Sequence, residues 1–181
     1  VEDGKAYLRG DTAIILSSSD ELSGVNGVFV SLDGDNFFRY KDVAYVEEEG
    51  EHTGYAYTED NVGNRSQTFS ITGWIDNTPP DVRIAPRQPL QVVQGERYSN
   101  VGNQFVVRAT DEISGVEEIH VSVNRQEFIT YSAPISFSES GFHSSRARAV
   151  DRLGNMSKTV ELGFSIDVET PEPQIRAIIE E

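Results

Sequence analysis

Apolar and polar residues alternate with a period of two along several short segments, which is the pattern of half-buried β-strands. The inward positions that this alternation predicts include Val28, Val30 and Leu32, and Ile119, Val121 and Val123. The alternation returns towards the end of each half of the chain, at Phe69, Ile71 and Ile75, and at Val160, Leu162, Phe164 and Ile166. No segment holds a helical apolar stripe for more than a turn or two. The pattern therefore predicts an all-β protein.

The chain repeats itself at a constant offset of 91 residues, the separation of Asp20 from Asp111. The motif DxxGN shows the repeat most clearly, because it occurs in TEDNVGN around Asp60 and in AVDRLGN around Asp151. No gap is needed between Asp20 and Asp76, and roughly a third of that stretch is identical to its counterpart. The sequence therefore indicates a duplicated domain.

Domain boundaries follow from a second repeated phrase, DNTPPDVRI at 76–84 and DVETPEPQIRAI at 167–178. The first repeat is predicted to span residues 1–78 and to lack its first strand. The second is predicted to span residues 79–170 and to begin with a strand from Val82 to Ala85. Residues 171–181 are interpreted as the start of a further repeat or a linker, so we expect the chain to be a fragment of a tandem array.

Turn motifs divide each repeat into short strands. SGV, DGDN, DNVGN and Pro-Pro recur every ~8–12 residues, which is typical of a β-sandwich with about seven strands. The aspartate of DxxGN is predicted to accept backbone N–H groups, and the glycine and asparagine to tolerate positive φ. The predicted fold is two tandem immunoglobulin-like (Ig/fibronectin-III-like) β-sandwich domains.

Charge and composition exclude several classes of function. The net charge is −15, which argues against a nucleic-acid groove and against docking on anionic lipid. No apolar run is long enough for direct membrane insertion. Cysteine is absent, so disulfides and thiolate chemistry are excluded. The sequence contains no Gly-rich phosphate loop, serine elbow or HExxH motif, so we do not expect an enzyme.

The combined spacing SGV, GxH, DxxGN and DxTPP resembles the bacterial Ig-like repeats of secreted and outer-surface proteins. The second repeat departs from it by carrying Asn124 and Arg125 in place of a DG hairpin, and the first has Val43 where the second has Pro134. The resemblance implies an extracytoplasmic spacer or adhesion array with no catalytic residues and no required cofactor. The implied partners are further Ig-like repeats, and a surface protein or a glycan.

Acidic residues near the repeat boundary form a candidate Ca²⁺ site. In an Ig-type sandwich the chain enters at the end that carries the B–C and F–G loops, so acids of these loops are predicted to face the linker. Ca²⁺ takes 6–8 oxygen ligands, which suits such a convergence. The alternative is that these acids cap turns or are solvated. The candidate ligands are Asp76, Asn77, Asp81, Asp111, Glu112 and Asp151.

Two further groups are candidate binding residues. Arg9, Gly10 and Asp11 form an RGD tripeptide at a predicted turn, which is either an adhesion motif or a plain polar turn. Tyr55, Tyr57 and Trp74 are predicted to form an exposed aromatic platform for a sugar or a protein. The alternative interpretation is that the tyrosines are good strand formers on a solvated sheet. An accessory carbohydrate-binding module of a larger secreted enzyme is therefore the alternative function.

Overall fold

A computed structural model describes residues 5–174 of the chain. Every regular element in this range is a β-strand, and none of the described residues forms a helix long and apolar enough to cross a membrane. The predicted all-β class is confirmed. The first repeat contains β1 (Ala6–Leu8), β2 (Val25–Ser31), β3 (Phe38–Arg39), β4 (Gly50–Asp60) and β5 (Phe69–Ile75).

Among the described residues, the second repeat contains more strands than the first. These are β6 (Asp81–Pro86), β7 (Gln91–Val93), β8 (Glu96–Ser99), β9 (Gln104–Thr110), β10 (Val116–Val123), β11 (Ile129–Thr130), β12 (Ile135–Ser136), β13 (Gly141–Asp151) and β14 (Val160–Ile166). The predicted strand from Val82 to Ala85 is present as β6. The predicted start of a further repeat lies partly outside the described residues, which end at Gln174.

The chain divides into two compact units. The first comprises Val1–Pro80, Thr110–Glu117 and Val150–Met156. The second comprises Asp81–Ala109, Glu118–Ala149 and Ser157–Glu181. The SGV and DxxGN turns of the second repeat therefore belong to the first compact unit.

The first unit contains a five-stranded sheet in the order β1-β5-β4-β2-β3. Strand β1 runs parallel to β5, with Tyr7 opposite Trp74, while β4 runs antiparallel to β5. Opposite this sheet, the only pairing among the described residues of the first repeat is an isolated bridge between Ile14 and Ala44. Within residues 5–78, the second sheet of the first repeat is therefore represented by this one bridge.

Most of the second unit is built from two sheets, in the orders β11-β10-β13-β14-β8-β7 and β12-β9-β6. Its core is aromatic. Phe105 stacks on Phe164 with ring centroids 4.2 Å apart, and Phe137 meets both rings edge-on at 5.6 and 5.1 Å. Such geometries add to the stabilisation from apolar burial. Phe105 pairs with Ile135, and these two residues stand 91 positions after Ile14 and Ala44. The pairing is therefore the counterpart of the isolated bridge in the first repeat.

The alternation in the first repeat predicts burial that the structure does not show. Phe69 and Ile71 are 67% and 61% exposed, although Ile75 on the same strand is 3% exposed. Leu32, which directly follows the end of β2 at Ser31, is 56% exposed. The prediction that these three side chains are buried is wrong. The reason is that a period of two identifies one face of a strand but does not show that a second sheet covers it.

The DxxGN turns join the last two strands of each repeat and have the same hydrogen bonds. Asp60 Oδ1 accepts the backbone N–H of Asn64 at 2.8 Å, and Asp151 Oδ1 accepts that of Asn155 at 2.8 Å. The predicted capping role of the aspartate is confirmed. Positive φ occurs at the glycines of both turns but not at the asparagines, whose side chains bond to the aspartate instead.

The DGDN turn generates a prediction about pH. The side-chain amide of Asn36 and the hydroxyl of Ser31 donate to the Asp33 carboxylate, as do backbone N–H groups, and hold the pKa of Asp33 well below its ordinary value. Because the pKa of Asp33 is lower in the folded chain than its unfolded value of 3.8, the ionised carboxylate stabilises the fold above pH 3.8. This stabilisation is lost as the pH falls through the folded-state pKa.

Titration of the Asp33 carboxyl by NMR measures this lowered pKa. We expect Asp33 to stay ionised to lower pH than a free aspartate. We expect Asn36→Ala to raise the pKa of Asp33 towards its ordinary value, whereas Asn100→Ala, at an exposed asparagine outside this turn, leaves it unchanged. An ordinary pKa for Asp33 in the wild-type chain would contradict its hydrogen bonds with Ser31 and Asn36.

Candidate functional site

Three aspartates come together at the ends of three strands of the chain. Asp76 directly follows β5, Asp111 directly follows β9, and Asp151 is the last residue of β13. All three belong to the first compact unit. The backbone N–H of Asp76 donates to the carbonyl oxygen of Leu8 at 2.9 Å, which extends the pairing of β1 with β5 and fixes where Asp76 lies.

The three carboxylates approach one another closely. One carboxylate oxygen from each residue lies within 4.8 Å of the others. Asp76 and Asp151 are 0% and 1% exposed, and Asp111 is half-buried. None of the ion pairs between described residues includes any of the three. The arrangement therefore concentrates negative charge where little water reaches it, and such charge is costly unless it is compensated.

Backbone amides orient the carboxylates of Asp76 and Asp111. Asp76 Oδ1 accepts the N–H of Thr78 at 3.0 Å, and Asp76 Oδ2 accepts that of Ser114 at 3.1 Å. Asp111 Oδ1 accepts the N–H of Gly115 at 2.7 Å. These hydrogen bonds hold the carboxylate oxygens of both residues in fixed positions within the cluster.

Asn155 connects two of the aspartates. Its side-chain amide donates to Asp151 Oδ2 at 2.7 Å and to the carbonyl oxygen of Asp76 at 3.1 Å. The sequence did not single out Asn155 or Ser114 as site residues. The repeated GN and SGV motifs were the signals that could have identified them. The hydroxyl of Ser114, which is 3% exposed, has no hydrogen-bond partner in the described part of the chain.

The other three predicted ligands lie elsewhere. Asn77 Oδ1 accepts the N–H of Gly10 at 2.8 Å, and the Asn77 side-chain amide donates to the carbonyl oxygen of Glu47 at 3.1 Å. Asp81 is ion-paired with Arg83 at 2.9 Å on the surface. Glu112 is exposed and is not part of the cluster.

The first repeat contains the same two turns. Asp20 Oδ1 accepts the N–H of Gly24 at 2.8 Å, as Asp111 does from Gly115. Desolvation raises the pKa of Asp60, but hydrogen bonds from Asn64 and Val62 outweigh it, so this pKa lies below its ordinary value. The turns of the first repeat are thus internal controls for those at the cluster.

The RGD tripeptide forms a closed turn. The N–H of Thr12 donates to the carbonyl oxygen of Arg9 at 2.9 Å, and the Arg9 guanidinium is ion-paired with Asp11 at 3.2 Å. Gly10 is buried. A partner that recognises both charges would have to separate this pair.

The aromatic candidates share one face of the five-stranded sheet. The register places Glu51 opposite Trp74, and Tyr55 and Tyr57 follow at even spacing on the same strand. The ring of Tyr57 stacks on Phe29, with centroids 5.0 Å apart, and the Arg65 guanidinium carbon lies 3.4 Å from its centroid. The ring of Trp74 meets Tyr7 at 6.1 Å and lies under the ammonium of Lys5. Contacts within the chain therefore occupy part of the predicted platform.

No family model matches the sequence, and no curated protein matches it. One similar solved structure is that of the fibronectin(III)-like modules of CbhA from Clostridium thermocellum. The two chains are 14% identical, the alignment covers 96% of this chain and 98% of that one, and the TM-score is 0.42. The all-β class of this chain follows from its own strands and sheets.

The DxxGN turns of the two repeats lead us to expect that the same substitution, asparagine to alanine, changes the free energy of unfolding by different amounts. We expect Asn155→Ala to lower the free energy of unfolding by about 1–3 kcal/mol, because it removes two buried hydrogen bonds and leaves Asp151 undersatisfied. Asn64→Ala removes the equivalent exposed hydrogen bond to Asp60, and should cost less than about 1 kcal/mol. Urea unfolding of both variants measures the difference, and equal losses contradict the structural role of Asn155.

Proposed function

We propose that this chain is a non-catalytic structural segment of a tandem Ig-like array on an exported bacterial surface protein. In this proposal it acts as a spacer or as a protein interaction surface. The 91-residue duplication and the all-β architecture support a repetitive structural role. The combined SGV, GxH, DxxGN and DxTPP spacing supports the bacterial surface location.

The observation that carries the proposal further is the carboxylate cluster, which we assign to Ca²⁺. Two oxygens bound to one Ca²⁺ at 2.3–2.6 Å are at most about 5 Å apart, and the oxygens of Asp76, Asp111 and Asp151 lie within 4.8 Å of one another. The unpartnered hydroxyl of Ser114 is a further oxygen close to this group, since the N–H of the same residue bonds to Asp76. A cation there would offset the mutual repulsion of the carboxylates.

Bound Ca²⁺ would have a mechanical role. It would hold the end of β5, through Asp76, to the SGV turn at Asp111 and the DxxGN turn at Asp151. A ligand that binds only the folded state stabilises it by mass action. Bound Ca²⁺ would thereby restrain the segment that follows β5, which suits a spacer.

Thermal melts in Ca²⁺ and in EDTA test this role. We expect saturating Ca²⁺ to raise Tm by roughly 5 °C or more, because binding adds to the free energy of unfolding. Asp76→Asn should abolish the difference between the two conditions. The matched control is Asp167→Asn, because exposed Asp167 caps the N–H of Glu169 at 2.9 Å as Asp76 caps Thr78.

The control separates loss of metal from loss of a turn cap. Asp167→Asn should keep the full calcium-dependent shift. A wild-type Tm that is the same in Ca²⁺ and EDTA contradicts the metal assignment and leaves the three aspartates as turn caps.

Carbohydrate binding is the second candidate function. The observation that favours it is the shared face of Tyr55, Tyr57 and Trp74, because aromatic side chains on one face of a sheet can stack on sugar rings. In the second repeat, Arg146 and Arg148 occupy the positions of the two tyrosines. A sugar site would therefore be confined to the first repeat.

Glycan-array binding tests this candidate. If the first repeat binds a glycan, Tyr55→Ala/Tyr57→Ala should weaken binding by at least about tenfold, which corresponds to about 1.4 kcal/mol. Arg146→Ala/Arg148→Ala is the matched control and should leave binding unchanged. Absence of binding to any glycan, or binding that survives the tyrosine substitutions, argues against the platform.

A further inference from the structure

The six-stranded sheet of the second unit ends in a strand that is paired on one side. In the order β11-β10-β13-β14-β8-β7, strand β7 pairs with β8, and no strand of the described residues pairs with its other side. An edge strand presents unpaired N–H and C=O groups, which makes it a template for a further strand. We call Gln91–Val93 the β7 edge.

The residues on either side of the β7 edge hold it in place without covering it. Gln94 and Gly95 join β7 to β8, and both have positive φ, at 53° and 87°, as a type I′ hairpin turn requires. A turn of two residues is too short to fold back over the edge. Before the strand, Leu90 packs against the phenylalanine core. The edge is therefore anchored to the core and open.

The side chains of the β7 edge are apolar and exposed. Val92 is 68% exposed and Val93 is 54% exposed. Val92 lies opposite Arg97 and Val93 lies opposite Glu96 in the pairing with β8. Because successive side chains of a strand point to opposite faces, the two valines expose apolar surface on both faces of the sheet.

Charge does not protect this edge. Charged side chains on edge strands commonly prevent pairing with another chain. Among the other edge strands, β3 contains Arg39, and β6 contains Asp81 and Arg83. Residues 88–95 contain no charged residue, although the whole chain has a net charge of −15. Two copies of so acidic a chain repel each other least where neither presents a charge, so the β7 edge suits a second copy.

We propose that the β7 edge pairs with the β7 edge of a second copy of this chain. The two strands run antiparallel about a two-fold axis at Val92, which joins the two six-stranded sheets into one. In this register Val92 lies opposite Val92 of the second copy, and Gln91 lies opposite Val93. The proposal rests on the edge and its side chains, and does not depend on the spacer role.

The proposed register opposes no like charges. In the row of residues through the axis, the two copies of Val92 are neighbours and the two copies of Arg97 lie at the ends, three strand spacings or roughly 14 Å apart. The next row places the exposed Val93 beside uncharged side chains of the second copy. From one copy to the other, this row contains Glu96, Val93, Gln91 and Tyr98. The pairing therefore covers both valines.

Sedimentation equilibrium tests the association. A three-residue edge buries less surface than a standard interface, so we expect a weak dimer that forms as the wild-type chain is concentrated towards about 1 mM. Val92→Lys places two like charges opposite each other at the axis and should weaken association at least about tenfold. The matched control is Val101→Lys, which alters a half-exposed valine in the turn after β8 and should associate like the wild type.

Two outcomes of this experiment overturn the proposal. One is a wild-type chain that remains monomeric up to about 1 mM, and the other is equal association of Val92→Lys and the wild type. Thermal melts of both lysine variants show whether each is folded. Since Val92 is mostly exposed, we expect its substitution to leave Tm close to that of the wild type.

Cysteine cross-linking tests the register without adding charge. The chain contains no cysteine, so each disulfide formed reports on an introduced residue. Directly opposed residues of antiparallel strands have Cα atoms about 4.5–5.5 Å apart, which a disulfide can bridge. Val92→Cys should therefore form disulfide-linked dimers by itself. Gln91→Cys should cross-link to Val93→Cys when the two are mixed, and neither should cross-link to itself.

Val101→Cys measures cross-linking by random collision, because Val101 lies outside the strand. We expect Val92→Cys to cross-link at least about tenfold faster than Val101→Cys when the chain is concentrated. Equal rates for the two variants overturn the proposal. Cross-linking of Gln91→Cys to itself as fast as to Val93→Cys also overturns it, because the strands are then not related by an axis at Val92.

Discussion

The organisation of this end of the first unit depends on the close approach of three carboxylates. One oxygen from each of Asp76, Asp111 and Asp151 lies within 4.8 Å of the others, and Asp76 and Asp151 are out of contact with water. Hydrogen bonds to backbone groups hold the three carboxylates in place. Asp76 receives the N–H of Ser114, and Asn155 donates to the carbonyl oxygen of Asp76. The end of β5 and both turns are thereby fixed to one another. The remaining charge is what makes a divalent cation a physically reasonable occupant.

The duplication shows what one motif does in two environments. In the first repeat, the aspartates of SGV and DxxGN cap turns at a half-exposed or exposed surface. In the second repeat the same hydrogen bonds hold the carboxylates of Asp111 and Asp151, and the carboxylate of Asp76 lies close to both. The sequence motif therefore encodes the turn, and its surroundings determine whether the turn can also bind a ligand. The contrast between the exposed Phe69 and Ile71 of the first repeat and the phenylalanine core of the second follows the same logic.

Much of the fold could be predicted from the sequence, because alternation and turn chemistry are local. The DxxGN hydrogen bonds and the strand at Val82 are of this kind. The exposure of Phe69 and Ile71 could not be predicted, because it depends on a second sheet of which the described residues of the first repeat form only one bridge. For the candidate site, the sequence brought Asp76, Asp111 and Asp151 into one hypothesis. It could not show that the side chain of Asn77 contacts Gly10, because that contact joins residues 67 positions apart in the chain.

Calorimetric titration of Ca²⁺ into the chelator-treated full chain tests the central claim most directly. The account predicts saturable binding of a single ion, lost in Asp76→Asn and retained in Asp167→Asn. Absence of binding to the wild-type chain, or binding that Asp76→Asn leaves unchanged, would contradict the assignment of the buried aspartates as a cation site.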